Sequence, residues 1–512
     1  MSGGRSGKLR RGKRQHPTVS ATRAAPTPAL APAGSPFGWA LGGVVAVAAL
    51  VRLAATWNDL WLDEIWTVNL VSGLHSAFGV FTLRHDNNHI LNSLFIYAFK
   101  PFGIDWLYRV PDWLAGIATV GLGAWVAALG DGQRKRDDAS PATRALVAAI
   151  LLAGSYLLVH FASEARGYSL VLAFGLVAVG TALADGPRPM SARAPIVWVS
   201  LVLSMLALAL AVHFLIALVV WSAVRTLRRG GWRYAAATLA WWYAVPVGAY
   251  VIFYLGFLRV MERGGGDRNL SESALAPVAR ACAAATGLPN GASAPVVLAF
   301  AIAVTALGVA WLVARGNDLW IFYLVGIVGS PIFVALFRKS HVGRHFIVSA
   351  MLWLLLAARP LAWLTTRGPV ARAAVAVTLA AFLLGNALRL VPLLRYGRGS
   401  YRDALRYMVS HTPGDNVRVT SDYDFRNRMM VEYYAPRIGT DRSVRYVNRR
   451  ELTVPGPDWY IAQLPPPPGG VPRVVADARG NLYRFEMDYP SNPFGGIPWR
   501  VYRNAGATGA AR

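Results

Sequence analysis

The stretch Trp61-Leu62-Asp63-Glu64-Ile65-Trp66-Thr67 sets two adjacent carboxylates between tryptophans, about five residues after the first long apolar run of the chain. Tryptophan is typical of the membrane–water interface. Acidic residues at a membrane are costly to keep unless they have a function, so this pair is the first candidate site. The alternative interpretation is two solvated loop acids, which would also suit an isolated Asp-Glu pair.

The composition around this stretch indicates a polytopic membrane protein. Of 512 residues, 55% are hydrophobic and only 15% are charged, which excludes a soluble enzyme of ordinary composition. A net charge of +26 would also suit a nucleic-acid-binding protein, but the basic residues lie mostly in short links between apolar runs and in the two tails. That distribution follows the positive-inside rule, so no nucleic-acid partner is expected. The single cysteine, Cys282, excludes an intrachain disulfide and a cysteine metal cluster.

Apolar runs long enough to span a membrane predict about eleven transmembrane helices. They lie at about 37–56, 107–130, 145–162, 167–185, 196–212, 214–224, 235–258, 294–314, 319–337, 346–364 and 373–392. With a cytoplasmic N-terminus, the even-numbered links are cytoplasmic and contain most of the basic residues between spans, among them Arg134, Lys135, Arg136, Arg225, Arg228 and Arg229. The odd-numbered links, the candidate site and the C-terminus then lie outside the inner (plasma) membrane.

Three regions follow from this pattern. Residues 1–36 are a basic, Ala/Pro-rich tail that cannot form a core and is expected to be disordered in the cytoplasm. Residues 37–392 form the transmembrane domain. Residues 393–512 are less hydrophobic and long enough for a small soluble domain. A helix at 400–410 and strands at 417–420, 459–462 and 481–487 predict an α/β domain there, so the predicted fold class is a polytopic α-helical membrane protein with a small C-terminal α/β domain.

The first outer link, about 57–105, contains further polar residues on the same side as the carboxylates. Its stretches 61–74 and 88–99 have mixed polarity at helical length, which predicts two amphipathic helices along the membrane surface. His85, Asp86 and His89 could hold a divalent metal, and the two histidines would share a helix face if this segment were helical. Hydrogen bonding by Asn88 and His89 at the interface is the alternative, and no cofactor is certain.

The fifth outer link places Arg338, Lys339, Arg344 and two histidines on the side where positive charge is not expected. Arginine and lysine are natural phosphate ligands, so this cluster fits a lipid-linked phosphate; contact with lipid headgroups is the alternative. The second outer link has Glu164 and Arg166, whose charges could form a structural ion pair. Arg166 could instead complete the phosphate pocket.

The order of these motifs resembles the C-type glycosyltransferase superfamily, and most closely its protein mannosyltransferase and aminoarabinose transferase-like group (families 39 and 83). The similar landmarks are Asp63-Glu64 after the first span, Asp86-Asn87-Asn88-His89 followed by 95–103, Arg109-Val110-Pro111, Glu164-Ala165-Arg166-Gly167-Tyr168, and Arg344-His345-Phe346. Together they cover about residues 37–365. The family's common His-Pro-Pro is His89-Ile90-Leu91 here, a departure that bears on the acceptor class and on any metal role.

The resemblance implies an integral-membrane glycosyltransferase, a hexosyl- or pentosyltransferase of the cell envelope. It would transfer a sugar from a polyprenyl-phosphate donor to an extracytoplasmic lipid, glycan or protein acceptor. Direct displacement would invert the anomeric centre, with Asp63 as general base and Glu64 positioning the base, a metal or the acceptor. Arg338, Lys339, Arg344 and Arg166 would bind the donor phosphate. The expected substrate-binding residues are Asp86, Asn88, His89, Glu164, Tyr168 and His345.

Two other classes fit parts of the sequence. A transporter or flippase of lipid-linked saccharides would also need many spans and a basic outer pocket, but it predicts internal repeats and polar residues near the middle of the membrane. The spans here are nearly free of charge, and no repeat is evident. A membrane scaffold that displays the C-terminal domain would leave the acidic pair and the basic link without a role.

Overall fold

The computed structural model describes residues 35–129, 139–262, 264, 275–337 and 343–506. Most of the predicted N-terminal tail, the basic link at 134–136, and the two candidate phosphate ligands Arg338 and Lys339 lie outside the described residues.

The described chain is mainly helical. Its helices are α1 (Pro36–Thr56), α2 (Leu62–Ser72), α3 (Ile90–Phe99), α4 (Val110–Ala128), α5 (Pro141–Gly154), α6 (Tyr156–Ala162), α7 (Tyr168–Asp185), α8 (Ala194–Ala207), α9 (Val212–Phe253), α10 (Ala276–Thr286), α11 (Ala294–Val313), α12 (Leu319–Phe337), α13 (Ile347–Leu364), α14 (Pro369–Tyr396), α15 (Tyr401–Ser410) and α16 (Asp424–Tyr434). Short 3₁₀ turns precede α4 at Asp105–Arg109 and α13 at Gly343–Phe346.

All eleven predicted spans coincide with helical segments, which confirms the integral-membrane fold class. Among the described residues, 7 helices are long and apolar enough to cross a membrane, and the bent pair α5–α6 would make 8. The apolar helix α8, with 14 residues, is shorter than this criterion requires. The predicted spans 214–224 and 235–258 run together as α9, which Gly231 interrupts with non-helical backbone (φ 72°, ψ −173°).

The predicted span 145–162 is bent. It breaks between Gly154 and Tyr156, where α5 and α6 meet at 63°. The backbone N–H of Tyr156, which has no helical partner at this break, donates to Asn386 Oδ1 of α14 at 2.7 Å. Ser155 Oγ donates to the carbonyl of Ala285 at 3.0 Å. Because α6 is only seven residues long, its C-terminal end brings the second outer link against the candidate carboxylates.

The C-terminal domain is α/β, as predicted. Its strands are β1 (Asn416–Ser421), β2 (Ser443–Tyr446), β3 (Trp459–Ala462), β4 (Val474–Ala476), β5 (Leu482–Tyr489) and β6 (Trp499–Asn504). They form one sheet in the order β2-β1-β3-β6-β5-β4. Strand β1 pairs in parallel with β2 and β3, and the remaining pairs are antiparallel. The predicted strands correspond to β1, β3 and β5, whereas β2, β4, β6 and α16 were not predicted.

The helix that carries the acidic pair belongs to the core of the C-terminal domain. Apolar residues of α2, such as Ile65 and Val68, are buried in one cluster with Leu405 of α15 and Val431 of α16. Tyr434 Oη also donates to the carbonyl of Leu60 at 2.8 Å, just before α2. The soluble domain therefore holds α2 from one side, while the membrane helices form a separate, larger apolar core.

Candidate active site

Asp63 and Glu64 lie in the first turn of α2, where negative charge interacts favourably with the positive end of the helix dipole. Glu64 Oε2 accepts the backbone N–H of Trp61 at 3.1 Å, which satisfies one of the amides left open at the helix start. The environments of the two carboxylates differ. Glu64 is fully buried, whereas Asp63 remains 14% exposed.

Glu64 forms a buried, two-pronged ion pair with Arg109, the residue before α4. Arg109 Nε donates to Glu64 Oε1 at 2.7 Å and Nη2 to Oε2 at 2.6 Å, and neither side chain is exposed. Arg109 also donates to the carbonyls of Thr56 at 2.7 Å and Asn58 at 2.8 Å, at the end of α1. Glu64 Oε1 further accepts the N–H of Ala165 at 2.8 Å. Glu64 thus fixes α2 to two other segments and has no face open to a substrate.

Asp63 is held by two arginines from distant parts of the chain. Arg166 Nη1 and Arg344 Nη1 both donate to Asp63 Oδ2, the latter at 2.6 Å. Among the described residues, no hydrogen bond reaches Oδ1. Burial on its own would raise the pKa of Asp63, but the two guanidinium groups outweigh it and hold that pKa below its ordinary value. Asp63 is therefore ionised at neutral pH, with one oxygen available.

The position of Arg166 depends on a tight turn between α6 and α7. Gly167 adopts a left-handed conformation (φ 73°), and a Cβ there would lie 2.7 Å from the carbonyl oxygen of Ala207, so only glycine fits. Asp112 of α4 accepts the N–H groups of Gly167 at 3.0 Å and Ser169 at 3.1 Å, which caps the start of α7. The turn directs Arg166 toward α2.

Two residues of the segment 85–89 contact Arg166, and the segment is not helical, so the condition under which His85 and His89 would share a helix face is not met. Arg166 Nη2 donates to Asn87 Oδ1 at 2.9 Å and lies 3.2 Å from His89 Nε2. Burial, followed by the charges of Arg166 and Arg344, lowers the pKa of His89 well below its ordinary value, so the ring is neutral. Tyr168 packs behind this group, with its ring centroid 6.0 Å from that of His89.

Asn88 and His85 have other partners. Asn88 Nδ2 donates to the carbonyls of Val80 at 2.7 Å and Leu83 at 2.9 Å, so Asn88 fixes the loop. His85 packs on Trp66 with ring centroids 4.6 Å apart, and its Nδ1 lies 3.2 Å from Asp86 Oδ1. Across the described ranges, no group of three His, Cys, Asp or Glu side chains could hold a metal ion. The candidate metal ligands His85, Asp86 and His89 thus do not converge on one point.

Glu164 and Arg166 do not form the ion pair proposed from the sequence. Glu164 Oε1 instead lies 3.2 Å from Nε of Arg398 and 3.1 Å from Nε2 of His160. Burial would raise the pKa of Glu164, but Arg398 and His160 outweigh it and hold the pKa at about 2. Arg398 follows α14 and also donates to the carbonyl of His160 at 2.8 Å. Glu164 therefore joins the second outer link to the C-terminal domain.

A cavity of about 590 Å³ opens beside these groups. Its walls come from the ends of α6, α10 and α11, from the 3₁₀ turn before α13, and from the loop between β5 and β6. The charged side chains in the wall are Glu164, Arg280, Arg344 and Arg389. Arg344 reaches both this cavity and Asp63, whereas His345, its neighbour, is partly buried in the same turn and does not line the cavity.

The sequence reading singled out Asp63, Arg166 and Arg344, and the structure brings these three together. It gave no site role to Arg109, Asp112 or Arg398, each of which fixes part of the site. Arg109 and Asp112 lie on either side of Val110-Pro111 at the start of a predicted span; the charge at this span boundary was a signal for both, and Arg109 also belongs to one of the family-like motifs. Arg398 carried no comparable signal, because its partner Glu164 is 234 residues away.

Solved structures similar to the chain include ArnT from Cupriavidus metallidurans in the apo state, with 13% identity, a TM-score of 0.49, and coverage of 92% of this chain and 98% of ArnT. ArnT bound to undecaprenyl phosphate gives the same identity and TM-score, with coverage of 92% and 99%. AglB, an archaeal oligosaccharyltransferase from Archaeoglobus fulgidus in complex with an inhibitory peptide and a dolichol-phosphate, gives 12% identity, a TM-score of 0.48, and coverage of 83% and 69%. No protein-family model and no curated protein matches the chain.

Proposed function

We propose that the protein is a membrane glycosyltransferase that transfers a sugar from a polyprenyl-phosphate-linked donor to an extracytoplasmic acceptor, with inversion at the anomeric carbon. The observation that carries this proposal is the arrangement of Asp63, Arg166 and Arg344, of which Arg344 also lines the cavity. One carboxylate oxygen is held by two cations, and the other oxygen is open.

The chemistry follows from these groups. Asp63 Oδ1 takes the proton of the acceptor hydroxyl while the acceptor oxygen attacks the anomeric carbon of the donor sugar. The bond between that carbon and the phosphate oxygen breaks, and the polyprenyl phosphate leaves with the electron pair. Arg344, with Arg280 and Arg389 in the same wall, stabilises the negative charge on the leaving phosphate. Glu64 takes the role of a positioning residue, because its carboxylate is enclosed by Arg109.

The cavity suits a substrate that is both charged and apolar. Besides its arginines, it is lined by small apolar residues at the ends of α10 and α11, among them Ala279, Ala283, Ala294 and Val297. An arginine cluster beside the apolar ends of membrane helices fits a lipid phosphate better than a free sugar. Undecaprenyl phosphate, found with ArnT, and dolichol-phosphate, found with AglB, are polyprenyl phosphates, and this is the class of lipid to test first.

The test is sugar transfer by the purified protein in lipid nanodiscs from a radiolabelled polyprenyl-phosphate sugar. Asp63→Asn keeps the shape of the side chain but removes the proton acceptor, so turnover should fall by about 10² to 10⁴ while donor binding persists. Asp86→Asn is the matched control, since Asp86 is the next carboxylate on the same side and contacts neither arginine. Near-normal turnover by folded Asp63→Asn, with loss in Asp86→Asn, would move the base to Asp86.

The same preparation distinguishes a transferase from a transporter or flippase of lipid-linked saccharides. Vesicles that contain the protein are given a fluorescent lipid-linked sugar, and both flux across the bilayer and release of the sugar from the lipid are measured. Release without flux is expected. Flux without release, unaffected by Asp63→Asn, would replace the proposed function with the transporter.

A further inference from the structure

The loop between β5 and β6, residues 490–497, leaves the sheet of the C-terminal domain and enters the end of the membrane-helix bundle. Hydrogen bonds from Asn492 and Ile497 anchor it. The backbone N–H of Asn492 donates to the carbonyl of Gly397 at 2.9 Å, and Asn492 Nδ2 donates to Tyr156 Oη of α6 at 2.7 Å. The N–H of Ile497 donates to the carbonyl of Arg398 at 3.0 Å. Both ends of the loop are thus fixed, with Phe494 between them.

Phe494 packs edge-on into aromatic rings of α6. Its ring centroid lies 5.6 Å from that of Tyr156, 5.2 Å from that of His160 and 6.1 Å from that of Phe161. The following Gly495 allows this approach, because a Cβ there would lie 2.9 Å from Nε2 of His160. On its other side, Phe494 Cζ is the nearest atom to a Cβ built on Gly343, the residue before Arg344. The ring therefore lies between α6 and the turn that carries Arg344.

Phe494 also lies where two cavities adjoin. It lines the 590 Å³ cavity that contains Arg344 and a second cavity of about 260 Å³ along α14. Arg389 and Phe494 line both cavities, Arg280 and Arg344 line only the larger one, and the apolar residues Leu288, Pro289, Leu388 and Pro392 line only the smaller one. The larger cavity is therefore the more cationic and the smaller one the more apolar, with Phe494 where they meet.

We propose that Phe494 is a substrate-contacting and specificity-determining residue that the C-terminal domain supplies to the donor site. It packs against the first apolar units of a lipid-linked phosphate whose charged group lies toward Arg344. This inference rests on the proposed function and adds to it a residue and a role for the C-terminal domain. The arrangement matches the chemistry of the ligand, because a polyprenyl phosphate has an anionic end for the larger cavity and an apolar chain for the smaller one.

The direct test is photo-crosslinking. A p-benzoylphenylalanine replaces Phe494 or, as a control, Phe485, a ring on β5 that lines neither cavity and contacts Tyr502 of the sheet. The purified full-length protein in nanodiscs is irradiated with tritiated polyprenyl phosphate. Label at position 494, displaced by unlabelled polyprenyl phosphate but not by a neutral polyprenol, is expected. Equal labelling at both positions, or none at 494 while the protein still binds the lipid, overturns the inference.

Kinetics give an independent test that does not depend on the crosslinker. Phe494→Ala should raise the apparent KM for the donor by roughly tenfold, as when a few apolar contacts are lost from a pocket, with a smaller change in kcat. Phe494→Leu should restore most of the loss for the same donor, and Phe485→Ala should leave KM unchanged. A Phe494→Ala enzyme with wild-type KM overturns the inference but leaves the proposed function intact. Absence of any transfer by the wild-type enzyme, with lipid still crosslinking at 494, overturns the transferase and not the lipid contact.

If Phe494→Ala lowers the Tm and the expression level but leaves the donor KM unchanged, Phe494 contributes only to packing and the inference is wrong. Asn492→Ala distinguishes the two roles, because it removes the anchor to Tyr156 but keeps the ring. It should affect donor KM less than Phe494→Ala does.

Discussion

Replacing Glu64 by glutamine should destabilise the protein rather than stop its chemistry directly. Glu64 is the buried partner of Arg109 and the acceptor of backbone amides in two segments. Loss of the Glu64 carboxylate should therefore lower the stability of the fold before it affects the reaction.

The magnitude follows from the contacts. The Glu64 carboxylate accepts two bonds from Arg109, at 2.6 and 2.7 Å, and one each from the N–H groups of Ala165 and Trp61. Glutamine keeps one acceptor oxygen and turns an NH₂ group toward donors. It also leaves the Arg109 charge buried and unpaired, and breaking a buried pair in this way costs about 3 to 5 kcal/mol. A loss of this size should lower the Tm by several degrees.

The assay is thermal unfolding in detergent, read by size-exclusion chromatography after heating, together with turnover per folded molecule. Glu64→Gln should show a lower Tm and yield, and the surviving folded enzyme should lose less turnover than Asp63→Asn. Glu432→Gln is the control, because Glu432 pairs with Arg428 on the surface and is 54% exposed. If Glu64→Gln is as stable as the wild type and as inactive as Asp63→Asn, the assignment of Glu64 to positioning is wrong.

Three further outcomes are expected. Arg344→Ala should lower kcat/KM for the donor more than for the acceptor, by the equivalent of roughly 2 to 5 kcal/mol for the donor. Arg344→Lys should restore only part of that loss. Equal effects on both substrates would favour the alternative that Arg344 contacts lipid headgroups. The pKa of Asp63 lies below its ordinary value of 3.8, so the base stays ionised until the pH falls through that lowered pKa. Arg166→Gln removes one cation and should therefore move the acid limb of the pH–rate profile to higher pH. An unmoved limb would exclude Asp63 as the titrating group. Reporter fusions at Asp131, Arg229 and Thr453 should report inside, inside and outside, and an inside signal at Thr453 would refute the predicted orientation.

The fold could be predicted largely because its signals are local. Apolar runs and basic links mark membrane helices, and alternation marked three strands of the C-terminal sheet. The missed strands have weak or irregular patterns; β4 has only three residues, and β6 is buried at nearly every position and so shows no alternation. The helix break at Tyr156 could not be predicted from the sequence for another reason. It is stabilised by Asn386, 230 residues later in the chain.

The site could be predicted only in part, since charge at a membrane boundary identifies candidates but not their partners. Glu164 and Arg166, two residues apart, were paired on the basis of proximity in sequence. In the structure, the turn at Gly167 sends Arg166 toward Asp63, while Glu164 faces Arg398 and His160. Except for His160, four residues before Glu164, these partners come from tertiary packing over more than a hundred residues, and no local pattern encodes them.

The adjacent carboxylates of α2 illustrate how one helical turn separates two roles. Consecutive residues of an α-helix point about 100° apart, because 3.6 residues make one turn. Glu64 therefore faces the junction of α1, α4 and the second outer link, where Arg109 closes around it. Asp63 faces the gap between Arg166 and Arg344, where one oxygen remains open beside a cationic cavity. Exchanging the two residues would place the shorter carboxylate toward Arg109 and the longer one in the gap between Arg166 and Arg344, so the proposed division of roles depends on the order Asp-Glu.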